Sequence, residues 1–185
     1  MTSDSTDDPK RALKRLLQVR DVLKQQAQQS GETFHCRGDE ELIEKSRGAI
    51  PYFMAFSAND FPTAGQTYRY SVTVVNPTQT ELSWCFVGMF FGGFGLLDDN
   101  RYLEACAAAA INTEPEPWWP YRSNLLNVLP PGWTQLRDDF TVPREVPVTT
   151  YFGNLVLWGQ RMFNPYVYYD RLHFPMVVQA PRDNR

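Results

Sequence analysis

The sequence predicts a mainly β protein, an antiparallel two-sheet β-sandwich preceded by an amphipathic α-helix. Aromatic residues make up 14% of the 185 residues, and such large side chains suit pleated sheets. From residue 50 onward the chain contains no lysine, and short apolar runs are separated by proline and glycine turns. Residues 10–29, in contrast, have their apolar positions at helical spacing.

The helix is predicted to run from Lys10 to Gln29. Asp8 followed by Pro9 is typical of a helix start, because a capping carboxylate precedes a proline at the first helical position. A serine–glycine pair supplies the stop. A second short helical turn is predicted from Asp39, as its N-cap, to about Lys45.

The apolar stripe of the helix is the first candidate binding surface. We predict that a protein partner or a sister subunit contacts Leu13, Leu16, Leu17, Arg20 and Leu23. Arg20 lies inside this stripe, so its guanidinium must reach outward or meet a carboxylate. The same stripe can instead pack on the sandwich of its own chain. An anionic membrane is disfavoured, because the stripe has no aromatic residue and contains Arg20.

At least six strands are predicted in the remainder of the chain. They are Tyr52–Phe56, Thr67–Val74, Leu82–Phe91, Thr134–Val142, Tyr151–Trp158 and Arg171–Val178. The second strand alternates most clearly, so Val72 is expected in the core and Thr73 in solvent. In the last strand Phe174 is expected to face the core.

The chain divides into three parts. Residues 1–48 form an acidic tail and the basic amphipathic helix, 49–180 form the sandwich, and 181–185 are a polar tail. An insert at about 92–127 interrupts the sandwich and contains a predicted short helix from Asp98 to Ile111.

Two stretches carry a resemblance to a known group of domains. In the first, Ala64-Gly65-Gln66-Thr67-Tyr68 leads into a strand that ends at Val75-Asn76-Pro77. In the second, Leu129-Pro130-Pro131-Gly132 is followed by Phe140-Thr141-Val142-Pro143 and then by Tyr151 to Trp158. They resemble the immunoglobulin-like sandwich modules called CARDB-like or fibronectin-type-III-like. A jelly roll is the alternative fold, since Tyr168-Tyr169-Asp170 before a final apolar strand suits it as well.

No catalytic or metal constellation is visible. His35 and His173 are the only histidines, and His35-Cys36 stands too isolated for a zinc site. Adjacent carboxylates such as Asp138-Asp139 point to opposite faces of a strand, so they do not converge. The tripeptide Arg37-Gly38-Asp39 matches a cell-adhesion motif, but so short a match arises by chance. We therefore expect no cofactor, no metal and no enzymatic activity; an enzyme with a dispersed site is the remaining alternative.

Aromatic residues predicted in loops are the second candidate binding surface. They are Trp118, Trp119, Tyr121 and Trp133. Aromatics on sandwich loops can stack on sugar rings or anchor a protein. The alternative is that the insert folds back and buries them.

Charge and hydropathy restrict which classes of partner the chain can bind. Residues 1–31 contain six bases and four acids, whereas the rest contains twelve bases and seventeen acids. Nucleic acid is disfavoured because the body is acidic. The start of the chain is polar and acidic, and the longest apolar run, from Trp84 to Leu97, is too short to span a bilayer as a helix. We expect a non-enzymatic cytoplasmic protein that binds a protein partner or forms homo-oligomers, with a carbohydrate- or small-ligand-binding module as the alternative.

Overall fold

The computed structural model describes residues 9–59, 62–92, 122–142, 144, 150–159, 167–177 and 179–180. These ranges contain helices α1 (Pro9–Gln29) and α2 (Asp39–Ser46). The strands are β1 (Thr33–Cys36), β2 (Tyr52–Ala58), β3 (Thr67–Asn76), β4 (Leu82–Gly92), β5 (Arg122–Leu129), β6 (Gly132–Thr141), β7 (Thr150–Gly159) and β8 (Val167–Val177). Within this described part, no helix is long and apolar enough to cross a membrane.

The strands form the predicted antiparallel two-sheet sandwich. The first sheet has the order β1-β2-β3-β6 and the second the order β5-β4-β7-β8. The chain crosses between the sheets after β3, β5 and β6, as Greek-key connections do. The sharp turn at Pro130-Pro131 makes one of these crossings, and Gly132 enters β6 with a φ of 89° that favours glycine.

The main core lies between the two sheets. Phe53, Phe56 and Val72 from the first sheet meet Val87 and Leu155 from the second, and all five are buried. The expected burial of Val72 is therefore confirmed. Phe174 lies on β8, but its side chain is outside the described part, so its burial stays a prediction.

A second apolar cluster covers the outer face of the first sheet, the face turned away from the second sheet. Leu16 and Leu23 of α1 and Leu42 of α2 pack there against Met54 and Val75 of the sheet. We call α1 and α2 together the helical layer. Helix α1 ends at Gln29, and Gly31 two residues later has a φ of 69°, which suits a glycine after the last helical turn.

Four local expectations differ from the structure. β1 and β5 are additional strands, and β5 occupies the end of the predicted insert. The N-cap of α2 is Gly38 rather than Asp39, which is instead the first helical residue. Thr73 is buried, not solvated, because the side of the sheet on which it lies is partly covered by α1. Trp133 lies on β6 and not in a loop.

Several expectations fall on residues outside the described part. They are the helix at Asp98–Ile111 and the ligand-binding role of Trp118, Trp119 and Tyr121. These remain predictions.

A candidate binding groove beside the N-terminal helix

The outer face of the first sheet is only half covered by the helical layer. Helix α1 lies mainly over β1 and β2, so the outer side of β6 and part of that of β3 remain beside it as an open groove. The groove encloses about 270 Å³. One wall is the second half of α1, with Leu23, Gln26 and Ala27, and the other side opens at the edge strand β6.

Hydroxyl groups form the floor of the groove. Ser57 of β2 and Ser71 of β3 lie opposite one another in the register, and their hydroxyls are 2.7 Å apart. Ser57 also donates to a carboxylate oxygen of Glu32 at 3.1 Å. Thr73 and Gln135 form the next cross-strand pair along the same face. The floor is therefore polar, with Ser71 and Gln135 as its partly exposed groups and Ser57 and Thr73 buried beside them.

Charged side chains of both signs frame the groove. Arg69 lies directly opposite Asp139 in the register of β3 and β6, and Arg137 lies opposite Ser71. All three line the groove together with Glu32. Because cations and anions alternate, the groove favours a polar ligand without a large net charge rather than a polyanion.

Trp133 extends the groove along β6. It lies opposite Val75, a member of the cluster under the helical layer, so its side chain is on the outer face. It precedes Gln135 by two residues, which places it about 7 Å further along the strand. The side chain is 48% exposed. An exposed tryptophan on an edge strand is a typical anchor for a protein partner.

The predicted partner-binding stripe of α1 lies mostly against its own sheet. Leu16 and Leu23 are buried there, and Leu13 and Leu17 are half-buried. Arg20 forms ion pairs with Asp39 at the start of α2 and with Asp21. The hydrogen bond to Asp39 is the main reason that the pKa of Arg20 is raised. A partner-binding role of these five residues stays a prediction.

A buried ion cluster at Asp170 was not predicted from the sequence. Asp170 of β8 is 5% exposed and pairs with Arg37, with an N–O distance of 2.9 Å, and with Lys45 at 3.0 Å. The backbone N–H of Phe53 donates to the same carboxylate at 2.7 Å. Arg37 also donates to the carbonyl of Phe53 and pairs with Glu41. Every acceptor site of the carboxylate is used, so the cluster joins the two sheets and α2 rather than forming an open site.

The hydroxyl of Tyr52 is a buried polar group without a hydrogen-bond partner in the described part. Burial, and then the charge of Asp170, raise the pKa of Tyr52 to about 12. Tyr52 belongs to the apolar cluster under the helical layer. Its hydroxyl is not directed into the groove, since Tyr52 is not among the groove residues.

The thiols in the described part have raised pKa values. Burial is the main cause for both Cys36 and Cys85, and each pKa rises from 9.0 to about 11. The His35 pKa is lowered by burial, beside the ring of Phe56 at 6.1 Å. Protonated thiols are poor nucleophiles, so neither cysteine has the lowered pKa that is typical of a catalytic thiol.

The thiols yield a prediction about pH. At pH 8, Cys36 and Cys85 should react with iodoacetamide much more slowly in the folded protein than in urea, as measured by mass spectrometry of each peptide. Because the folded pKa lies above the unfolded value, the thiols favour folding below pH 9 and lose this contribution as pH rises toward about 11. Equal rates in the folded and unfolded protein at pH 8 would contradict the assignment.

The fold is a β-sandwich with an open polar groove on the outer face of its first sheet. No protein-family model matches the sequence, and no curated protein matches it. Among solved structures, the chain is similar to the sporulation control protein Spo0M of Bacillus subtilis, with 14% identity and a TM-score of 0.41. That match covers 71% of this chain and 50% of the other, so the chain spans half the length of that protein.

Two further solved structures are similar in fold. One is a CARDB domain from Pyrococcus furiosus, in complex with di-metal ions, with 12% identity, a TM-score of 0.37, and coverage of 71% of this chain and 93% of the other. The other is a Niemann-Pick type C2 protein from the Japanese carpenter ant, with 8% identity, a TM-score of 0.44, and coverage of 80% and 99%. A CARDB domain is thus among the similar structures, in agreement with the resemblance of the sequence motifs.

Proposed function

We propose that this chain is a non-enzymatic protein-binding module that holds an extended peptide segment of a partner protein along β6. The observation that supports this most is the exposure of Trp133 on an edge strand, beside a groove lined by hydroxyl, amide and charged groups. Within the described part β6 pairs only with β3, so its other edge is open to an added strand. Main-chain pairing at such an edge supplies affinity, and side-chain pockets supply specificity.

The charges of β6 restrict which strands can pair with it. Arg137 and Asp139 are exposed side chains on its outer face. Charges on an edge strand discourage unselective strand pairing, so a partner segment has to match them. A peptide with an acid and a base two residues apart would place opposite charges beside Arg137 and Asp139. The free thiols of Cys36 and Cys85 support a cytoplasmic setting for such a partner, because thiols stay reduced there.

Trp133→Ala should weaken peptide binding at least tenfold, because a tryptophan anchor commonly contributes about 2 kcal/mol or more to the binding free energy. The probe is a displayed library of unstructured peptides; enriched peptides are synthesised and titrated by calorimetry. Val128→Ala is the matched control, since Val128 is a 42% exposed apolar residue on the edge strand of the second sheet. It should leave affinity unchanged.

N-methylation of the selected peptides tests the pairing itself. Two sets of methylated peptides are compared, one methylated at the odd-numbered backbone nitrogens and one at the even-numbered. One set should lose binding and the other should keep it, because only one edge of an added strand faces β6. Peptides that bind the Trp133 variant as well as they bind the wild type, or a library without any enriched peptide, would contradict the proposal.

A small polar ligand, such as a carbohydrate, is a second candidate. The observation in its favour is the lining of the groove by Ser57, Ser71, Thr73 and Gln135. If it is correct, a glycan array probed with the protein should give binding that Ser71→Val and Gln135→Ala remove. Binding of peptides that these two variants leave intact would favour the edge of β6 instead.

A further inference from the structure

The helical layer presents two outward faces of opposite charge. On α1, Arg11 and Lys14 are exposed and have no carboxylate partner within the described residues. On α2, Glu40 and Glu44 are exposed and have no basic partner within the same residues. Glu40 and Glu44 are four positions apart, and Arg11 and Lys14 are three apart, so each pair shares one face of its helix.

The stability of α1 does not explain why Arg11 and Lys14 are basic. Basic residues stabilise a helix near its C-terminus, yet α1 has none in its last turn and begins its basic run in its first turn. The leucine stripe already fixes α1 to the sheet through Leu16 and Leu23. The outward bases contribute nothing to that packing. Charges that go against the helix dipole and add nothing to packing make this surface a candidate for a binding function.

The two faces belong to one continuous surface. Leu42 of α2 packs in the same cluster as Leu16 and Leu23 of α1, and Arg20 links α1 to Asp39 at the start of α2. Val22 on α1 and Ile50 after α2 are also strongly exposed, at 52% and 58%. The helical layer thus combines a basic face, an acidic face and exposed apolar side chains.

We propose that the helical layer binds the helical layer of a second copy of this chain. A two-fold axis brings the basic face of α1 against the acidic face of α2 of the other copy, and repeats the same contact in the opposite direction. A second copy fits this surface better than an external polyanion, because the surface carries both signs and supplies its own complement. Unlike binding at β6, this contact makes the protein a dimer.

The size of the surface predicts a weak dimer. Helix α1 offers a strip about 30 Å long and α2 one about 12 Å long, each about 10 Å wide, and together they stay well below the roughly 800 Å² per partner of stable complexes. Charge pairs at such an exposed contact are screened by salt. The dissociation constant should therefore rise at least tenfold between about 0.01 M and about 1 M ionic strength, where the screening length falls from about 30 Å to about 3 Å.

Charge reversal tests the proposal. Sedimentation velocity over a concentration series should show a dimer for the wild type at low salt, and monomers for Arg11→Glu/Lys14→Glu and for Glu40→Lys/Glu44→Lys. An equimolar mixture of these two variants should form a heterodimer, because both contacts are then attractive again. The chain that carries all four substitutions should also dimerise with itself. Arg144→Glu and Glu81→Lys are exposed controls outside the helical layer and should dimerise as the wild type does.

Thermal melts accompany each variant, so that unfolding is not mistaken for dissociation. A wild type that stays monomeric at low salt overturns the proposal. This holds even if the monomer floats with anionic vesicles or binds an acidic polypeptide, because the occupant of the helical layer is then not a second copy. A dimer that survives either reversal, or a mixture that does not reassociate, overturns it equally.

Discussion

Replacing Asp170 by alanine is expected to lower the free energy of unfolding by about 3–5 kcal/mol, as is usual when one partner of a buried ion pair is removed. The substitution leaves the buried guanidinium of Arg37, the ammonium of Lys45 and the N–H of Phe53 without their common acceptor. Arg37 would keep Glu41 and the carbonyl of Phe53, but its side chain is only 8% exposed and would lose the carboxylate that neutralises it inside the cluster. The N–H of Phe53 would be left buried without an acceptor. Urea melts of the wild type and the variant measure the loss.

Asp139→Ala is the matched control, because Asp139 is an exposed carboxylate on an edge strand. It should change the free energy of unfolding by less than about 0.5 kcal/mol. The double variant Asp170→Leu/Arg37→Met should lose less than the sum of its single losses, since it removes both charges together. Similar small losses for Asp170→Ala and Asp139→Ala would mean that the cluster is exposed in solution.

The parts of the fold that were predictable are those with a repeating local pattern. Leucines at helical spacing predicted α1, and the alternation around Val72 predicted β3. Thr73 shows the limit of such patterns. Alternation assigns it to the opposite face from Val72, which is correct, but it does not reveal that the helical layer reaches over that face. Burial there depends on where α1 docks, which is a long-range property.

The elements that were missed lack a local signal. β1 is four residues long, too short for a period to be counted, and is held by pairing with β2. The ion cluster joins Arg37 to Asp170 across 133 positions of sequence. Arg37-Gly38-Asp39, set aside as a chance match, supplies both Arg37 for this cluster and Asp39 for Arg20. The position of Arg37 just before the predicted start of α2 was the only local sign of this cluster in the sequence.

The candidate groove was predictable only in part. Trp133 was selected as an aromatic near a turn, and the structure places it, exposed, on the edge strand that the turn leads into. The hydroxyls of Ser57 and Ser71 come from two strands that the sequence does not align with one another. Strand register therefore decides which polar residues share the groove, and register was not visible in the sequence.

Replacing Leu23 by alanine is expected to lower the free energy of unfolding by about 2–5 kcal/mol, the usual range for a buried leucine. Leu23 is 7% exposed and packs in the cluster between α1 and the first sheet. Its neighbour Val22 is 52% exposed, so Val22→Ala in the same helical turn should cost less than about 1 kcal/mol. Urea melts at low protein concentration and high salt measure both variants as monomers.

The contrast between Leu23 and Val22 decides how α1 serves the protein. If α1 docks on its own sheet, the Leu23→Ala monomer loses stability while its sandwich and helix still unfold together in one transition. If the leucine stripe instead contacts another chain, Leu23→Ala leaves the stability of the monomer unchanged and weakens self-association. Because the stripe is occupied by the sheet, only the outward face of α1 remains for a second copy. Leu23→Ala should therefore act on folding, and Lys14→Glu on association alone.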